Sequence, residues 1–213
     1  MLIIDLTHKI ESGMPVFPGT PEVKISQFST VEKDGFAEKQ LYLASHIGTH
    51  MDAPAHMISG GKTLDQFLIS KFSGRACIIP FSDEDIDGQD KQEYLSQFEN
   101  EIRDSEFVIL HTKWSEKWGT KEYFSHFPAL DKKSAEYLAG FYLSGIGIDA
   151  ISIDFHDSEI FEAHQELLKS EIVIIENLCN LEQIRGQGFR FSAFPLLISD
   201  SDGSPVRAVV EYL

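Results

Sequence analysis

Between residues 46 and 56 the chain reads His46-Ile-Gly-Thr-His50-Met-Asp52-Ala-Pro-Ala-His56, which places four potential metal ligands or proton carriers within eleven residues. All four stand at even positions. In an extended segment alternate side chains point the same way, so His46, His50, Asp52 and His56 would share one face. A helix would bring His46 and His50 together at i and i+4, but Gly48, Thr49 and Pro54 oppose a regular helix through the motif. The spacing therefore predicts an extended or looped presentation. Neutral imidazoles with a carboxylate suit a borderline divalent ion such as zinc or manganese. A single histidine in a loop is usually an ordinary polar residue. Three of the chain's eight histidines in one such window are poorly explained that way.

Two distant residues extend the pattern. Glu176 closes the run Glu171-Ile-Val-Ile-Ile-Glu176, and on a strand it shares a face with Ile172 and Ile174. A carboxylate among isoleucines is costly unless a cation or strong donors meet it; the alternative is a strand end already in solvent. His164 follows Ile160 by four residues and precedes Leu167 and Leu168 by three and four. On a helix it lies on the apolar face and points inward. Alone it reads as a hydrogen-bonded core histidine; beside Glu176 and the first cluster it reads as a ligand.

The elements that must position these residues alternate between strand and helix. Strands are expected at 2–6, 23–28, 38–44, 75–81, 107–111, 147–154, 172–178, 189–198 and 206–212. Helices are expected at 63–68, 92–102, 129–143 and 160–169, with Thr63 and Asp131 as caps and Gly145 just past the third. Residues 14–21, 82–90 and the Ser-Asp-Ser-Asp-Gly-Ser-Pro stretch at 199–205 read as loops. Strands outnumber helices and the two are mixed, which predicts one α/β domain with a substantial mixed sheet.

Composition removes several functions. The formal charge of −16 and the lack of a Lys/Arg cluster argue against nucleic acid and anionic membranes. No apolar stretch reaches the roughly 20 residues of a membrane span. The start, Met1-Leu-Ile-Ile-Asp-Leu-Thr-His8, lacks the basic and long apolar regions of a signal peptide, so the expectation is a cytoplasmic protein. Cys77 and Cys179 lie in apolar runs and read as buried thiols. Gly145-Ile-Gly-Ile-Asp-Ala150 matches a loose dinucleotide pattern, but a helical pattern precedes it and a strand follows, which excludes the phosphate-binding turn. Gly60-Gly-Lys-Thr63 lacks the required glycine at 56, where His56 stands, and no Gly-x-Ser-x-Gly elbow exists.

With these residues in place, the chain resembles the cyclase family of metal-dependent hydrolases, which includes bacterial kynurenine formamidases and isatin hydrolases. The resemblance is carried by Asp5-Leu-Thr-His8, Met14-Pro-Val-Phe-Pro-Gly19, the His46–His56 signature, Trp114-Ser-x-x-Trp118-Gly, Gly147–Asp154 and Glu176-Asn-Leu, in that order over most of the chain. It implies that residues 1–213 form one cyclase-like domain with a swivelling β/β/α arrangement. It further implies that His46, His50 and Asp52 bind one divalent ion. Asp52 and Glu176 would reach a second, completed by His164, with Glu176 shared; zinc is the first expectation and manganese the alternative. His56 matches the family's acid/base. The implied reaction is hydrolysis of a small amide-type substrate, an arylformamide such as N-formylkynurenine or a lactam such as isatin, by ion-activated water. The implied partner is a second copy, in a homodimer or larger homo-oligomer.

Formamidase members tend to place Trp before the Pro-Gly of the N-terminal loop, as a substrate wall. Phe17 stands there in this chain and stacks without an indole N–H. Trp114 and Trp118 either line a pocket or pack in the core. The competing class is a non-catalytic protein that binds metal or a small ligand on the same fold; an intact His56 favours the enzyme, since ion binding alone does not require it.

Overall fold

The computed structural model describes residues 2–212, and the apolar runs of the sequence become neighbouring strands in it. In chain order the strands are β1 (Leu2–Asp5), β2 (Lys24–Ser29), β3 (Glu38–Tyr42), β4 (His50–Asp52), β5 (Ser73–Pro80), β6 (Phe107–His111), β7 (Gly145–Ile148), β8 (Val173–Glu176), β9 (Phe189–Pro195) and β10 (Gly203–Tyr212). The α-helices are short: α1 (Val31–Asp34), α2 (Asp83–Ile86), α3 (Lys91–Ser96), α4 (Glu99–Arg103), α5 (Lys132–Ala139) and α6 (Glu162–Lys169). This is the mixed α/β sheet that the sequence predicts.

Strands β5, β6, β7 and β8 pair in parallel, joined by crossovers that carry α2–α4, α5 and α6. On the far side of β8, β4 runs antiparallel, followed by β10. Because β9 pairs with both β5 and β10, seven strands close on themselves in the order β10-β4-β8-β7-β6-β5-β9, and β1 adds to β10 outside that ring. The residues of β6 divide by alternation. Phe107 and Ile109 enter one apolar cluster with Ile175 and Phe191, while Val108 and Leu110 enter another with Leu138, Ile148 and Leu167. A strand buried on both faces needs such an unbroken apolar run. Each fully buried Leu or Ile contributes roughly 1.5–3 kcal/mol of transfer free energy.

Six elements differ from expectation. The helix expected at 63–68 is a 3-10 turn, Leu64–Gln66, and β10 begins at Gly203, inside the stretch expected as a loop over 199–205. The 82–90 stretch contains α2, because Ser82 and Asp85 form a reciprocal capping box and Ile86 is buried. The single helix expected at 92–102 is two, α3 and α4, broken around Gln97 and Phe98. The third predicted helix is only Lys132–Ala139; Asp131 caps it through Ser134 N–H, and Gly140, not Gly145, follows it. The strand expected over 147–154 is instead β7, and residues 149–154 leave the sheet as a loop. The two glycines of β7 are set by packing. A Cβ at Gly145 would lie 2.8 Å from the Phe107 ring, and one at Gly147 would lie 2.7 Å from Leu178 Cδ1.

Outside the ring, β2 and β3 form a separate hairpin. Every residue of β3 is exposed, and Phe28, Val31, Phe36, Leu41 and Tyr42 bring large apolar side chains to its surface. Among the described residues no helix is long and apolar enough to cross a membrane.

Candidate active site

The site lies at the ends of parallel strands β7 and β8, where Glu176 closes β8. Pairing of β4 with β8 sets His50 opposite Glu176, and pairing of β4 with β10 sets Asp52 opposite Gly203. His50 and Asp52 share a face of β4 as the two-residue spacing requires. His46 sits on the bend before β4, and His56 in the 3-10 turn Pro54–His56 that follows it. The motif is thus extended only at its centre, and loops bring its ends inward.

Asp52 is the hub. Its Oδ1 lies 2.6 Å from His46 Nδ1 and 3.3 Å from His50 Nε2, and its Oδ2 lies 3.5 Å from His164 Nε2. Glu176 completes the far side, with Oε2 3.5 Å from His50 Nε2 and Oε1 3.3 Å from His164 Nε2. It is 5% exposed, so the solvent-exposed reading of this carboxylate is excluded. Ile153 N–H also donates to its Oε1 at 2.8 Å.

Backbone and carboxylate acceptors fix the histidine tautomers. His50 Nδ1–H donates to the Gly48 carbonyl at 2.8 Å, which turns Nε2 toward the carboxylates. Gly48 has φ +57, and a Cβ there would meet Met14 Cε at 2.8 Å, so both conformation and space favour glycine. His164 Nδ1–H donates to Asp154 Oδ2 at 2.6 Å, leaving its Nε2 for Asp52 and Glu176. Asp154 also accepts the N–H groups of Ala163 and His164, so one carboxylate caps α6 and orients its histidine. Asn177 Nδ2 donates to the same Gly48 carbonyl at 2.9 Å, and Tyr123 O–H donates to Asn177 Oδ1 at 2.7 Å.

Charge follows the geometry. Burial alone would lower the pKa of His46, but hydrogen bonds and charge from Asp52 and Asp202 outweigh it and push it up to about 9. His50 and His164 are likewise raised against burial, His50 by Asp52 and Glu176, and His164 by Asp154, Asp52 and Glu176. Burial would raise Asp52, yet the surrounding histidines hold it well below the usual carboxylate range. His56 differs: burial dominates, and its pKa lies below the ordinary value. The shift favours the neutral imidazole.

Divalent-ion chemistry fits this donor set. Two groups of potential ligand atoms, His46–Asp52–His56 and His50–Asp52–Glu176, each lie within 4.8 Å of one another. Asp52 belongs to both. Its Oδ2 is buried without a hydrogen-bond partner, a vacancy in polar bonding that an ion would fill. The five predicted ligands and His56 all reach one cavity of about 310 Å³. Phe17 lines it from the N-terminal loop with Val16, while Met57, Ile151 and Phe161 supply further apolar wall.

The Cyclase family model, described as "Putative cyclase", matches residues 4–155. The chain belongs to the cyclase family. Across 98% of both chains it is 33% identical to MJ0783, an uncharacterized protein of Methanocaldococcus jannaschii. It is 31% identical to a kynurenine formamidase of Bacillus thuringiensis strain Al Hakam, over 97% of this chain and 96% of that one. A crystal structure of an isatin hydrolase bound to the product analogue thioisatinate superposes with a TM-score of 0.86 at 26% identity, covering 98% of this chain and 91% of that chain. The fold of this cyclase-family chain is therefore that of the isatin hydrolase.

Neither tryptophan of the Trp114-Ser-x-x-Trp118 motif lines the cavity. Trp118 stacks on His8 at 3.7 Å between ring centroids, and Trp114 Nε1–H donates to the Tyr123 carbonyl at 3.0 Å. Three residues at the site carry no signal in isolation. Asp154 could be found as a carboxylate placed to cap the helix of His164, and Asn177 only as the neighbour of Glu176. Asp202 lies in the stretch that reads as a plain turn, and its Oδ2 accepts from His46 Nε2–H at 3.0 Å. A Cβ at the adjacent Gly203 would meet His46 Cε1 at 2.4 Å, so this glycine clears space for the ligand ring.

Proposed function

We propose that this cyclase-family chain is a metal-dependent hydrolase of a small amide-type substrate, an arylformamide such as N-formylkynurenine or a lactam such as isatin. The observation that carries the reading is the convergence of five ligand-type side chains and a further imidazole, His56, on one small cavity with aromatic walls. His46, His50 and Asp52 would hold one divalent ion; Asp52, Glu176 and His164 would hold a second, with Glu176 shared. Zinc is the first choice for this nitrogen and oxygen set and manganese the second. Such ions supply Lewis acidity toward a carbonyl and toward water. His56 serves as acid and base: it takes the proton of the attacking water and returns one to the departing nitrogen. Phe17 and Phe161, both lining the cavity, suit a flat aromatic ring.

Purified protein should contain divalent metal by elemental analysis and should turn over at least one of N-formylkynurenine, isatin and simple cyclic amides. Chelation should abolish that turnover and metal should restore it. Protein without metal would overturn the reading. Metal with no turnover across the panel would favour a non-catalytic binding protein.

The second copy implied by the family is also part of this proposal. A two-stranded hairpin alone in water is marginally stable, and β3 is exposed along its whole length with apolar side chains outward. Light scattering on the same preparation should give at least twice the monomer mass of 24.0 kDa. A monomer at micromolar concentration would refute the assembly.

A further inference from the structure

Asp202 reaches the site from the turn between β9 and β10, and two restraints aim it there. Its carbonyl accepts from Ala53 N–H at 2.8 Å, which pins the turn to the residue after Asp52. The next residue, Gly203, pairs with Asp52 itself. The Asp202 side chain is 46% exposed.

One oxygen of this carboxylate bonds one ring and lies near a second. Asp202 Oδ2 is 3.0 Å from His46 Nε2 and 3.7 Å from His56 Nδ1, and the two imidazoles lie 3.9 Å apart at a 33° tilt. A carboxylate at one nitrogen of an imidazole fixes the N–H there and leaves the other nitrogen its lone pair. At His56 that other nitrogen is Nε2. The 3.7 Å separation is longer than a formed hydrogen bond, as contacts at catalytic groups often are before substrate binds.

We infer that Asp202 is the positioning residue of His56, holding its Nδ1–H so that the bare Nε2 faces the substrate. The inference rests on the hydrolase reading, in which His56 moves protons. The rival role is a brace for His46, and the two separate cleanly. A brace acts on ion affinity. A positioning residue for His56 acts on turnover and leaves the ions in place.

The test compares Asp202→Ala, Asp202→Asn and Asp202→Glu with wild type, in the native and the His56→Ala backgrounds. For Asp202→Ala, kcat should fall about 10–100-fold, the usual cost of removing an orienting partner. KM should stay within about twofold, and the loss of kcat should persist at saturating zinc, with calorimetry showing the ions bound. Asp202→Glu should recover part of kcat, and Asp202→Asn should not. In the His56→Ala background the Asp202→Ala change should cost nothing further. Nitrogen NMR of the imidazoles should show His56 with its proton on Nδ1 in wild type and a mixture of tautomers in Asp202→Ala. Unchanged kcat, an equal loss in both backgrounds, or a loss confined to zinc affinity would each overturn the inference. If wild type turned over nothing, the hydrolase reading would fall, and the tautomer measurement would still decide whether Asp202 orients His56.

Discussion

Asp52→Asn should strip the protein of bound metal and take turnover to background, a loss of at least about a thousandfold. The change keeps the shape of the side chain and removes its charge. That charge stands within 3.5 Å of nitrogens on His46, His50 and His164, and both potential ligand groups include it. A bound divalent ion contributes several kcal/mol to a transition state, and each 1.36 kcal/mol is tenfold in rate, which sets the expected size. Elemental analysis reads the metal and circular dichroism reads the fold. A folded Asp52→Asn protein that bound zinc with wild-type affinity would remove Asp52 from the ligand set and with it the two-ion proposal.

His56→Ala is the complementary change and should have the opposite signature. Metal content should match wild type while kcat falls about 10²–10⁴-fold, the usual contribution of a positioned acid or base. The expectation rests on a difference in environment. His46, His50 and His164 each have a carboxylate oxygen within 3.5 Å, whereas the carboxylate oxygen paired with His56, on Asp202, is 3.7 Å away. Its nitrogen also lies within 4.8 Å of ligand atoms on His46 and Asp52, so geometry permits a ligand role too. Loss of metal together with activity would establish that role. Near-normal turnover would show that His56 does neither.

The sequence made the ligand-type residues legible because their chemistry is local. Histidine and aspartate at spacings of four, two and four are unusual without any knowledge of the fold. Glu176 and His164 were legible for a different reason: each is a polar residue on an apolar periodicity, a conflict that only burial with partners resolves. The short helices were harder. Residues 82–90 look like a solvated loop because α2 is acidic in its first turn, and its stability comes from the Ser82–Asp85 capping box and one buried residue, Ile86. The strand at 147–154 was over-extended because Ile151 and Ile153 alternate as strand residues do, although they are buried in a loop beside the site. Asp202 and Gly203 were illegible for a deeper reason. A polar turn is what they look like locally, and only the register of β10 on β4 gives them a place next to His46.

That register has a kinetic meaning. His46 and Asp202 are 156 positions apart, and β1 pairs with β10 from Leu2↔Tyr212 to Asp5↔Val209. Closing loops of that length carries an entropic cost, and folds dominated by such distant pairings fold slowly. The ligand cluster straddles the seam between β4, β8 and β10, so it cannot exist in any partly folded species in which the seam is open. An ion held there would bind the closed ring and discriminate against every open one, adding its binding energy to the native state alone. Metal in this chain would then act as a clasp that lengthens the lifetime of the folded ring, independently of any reaction carried out beside it.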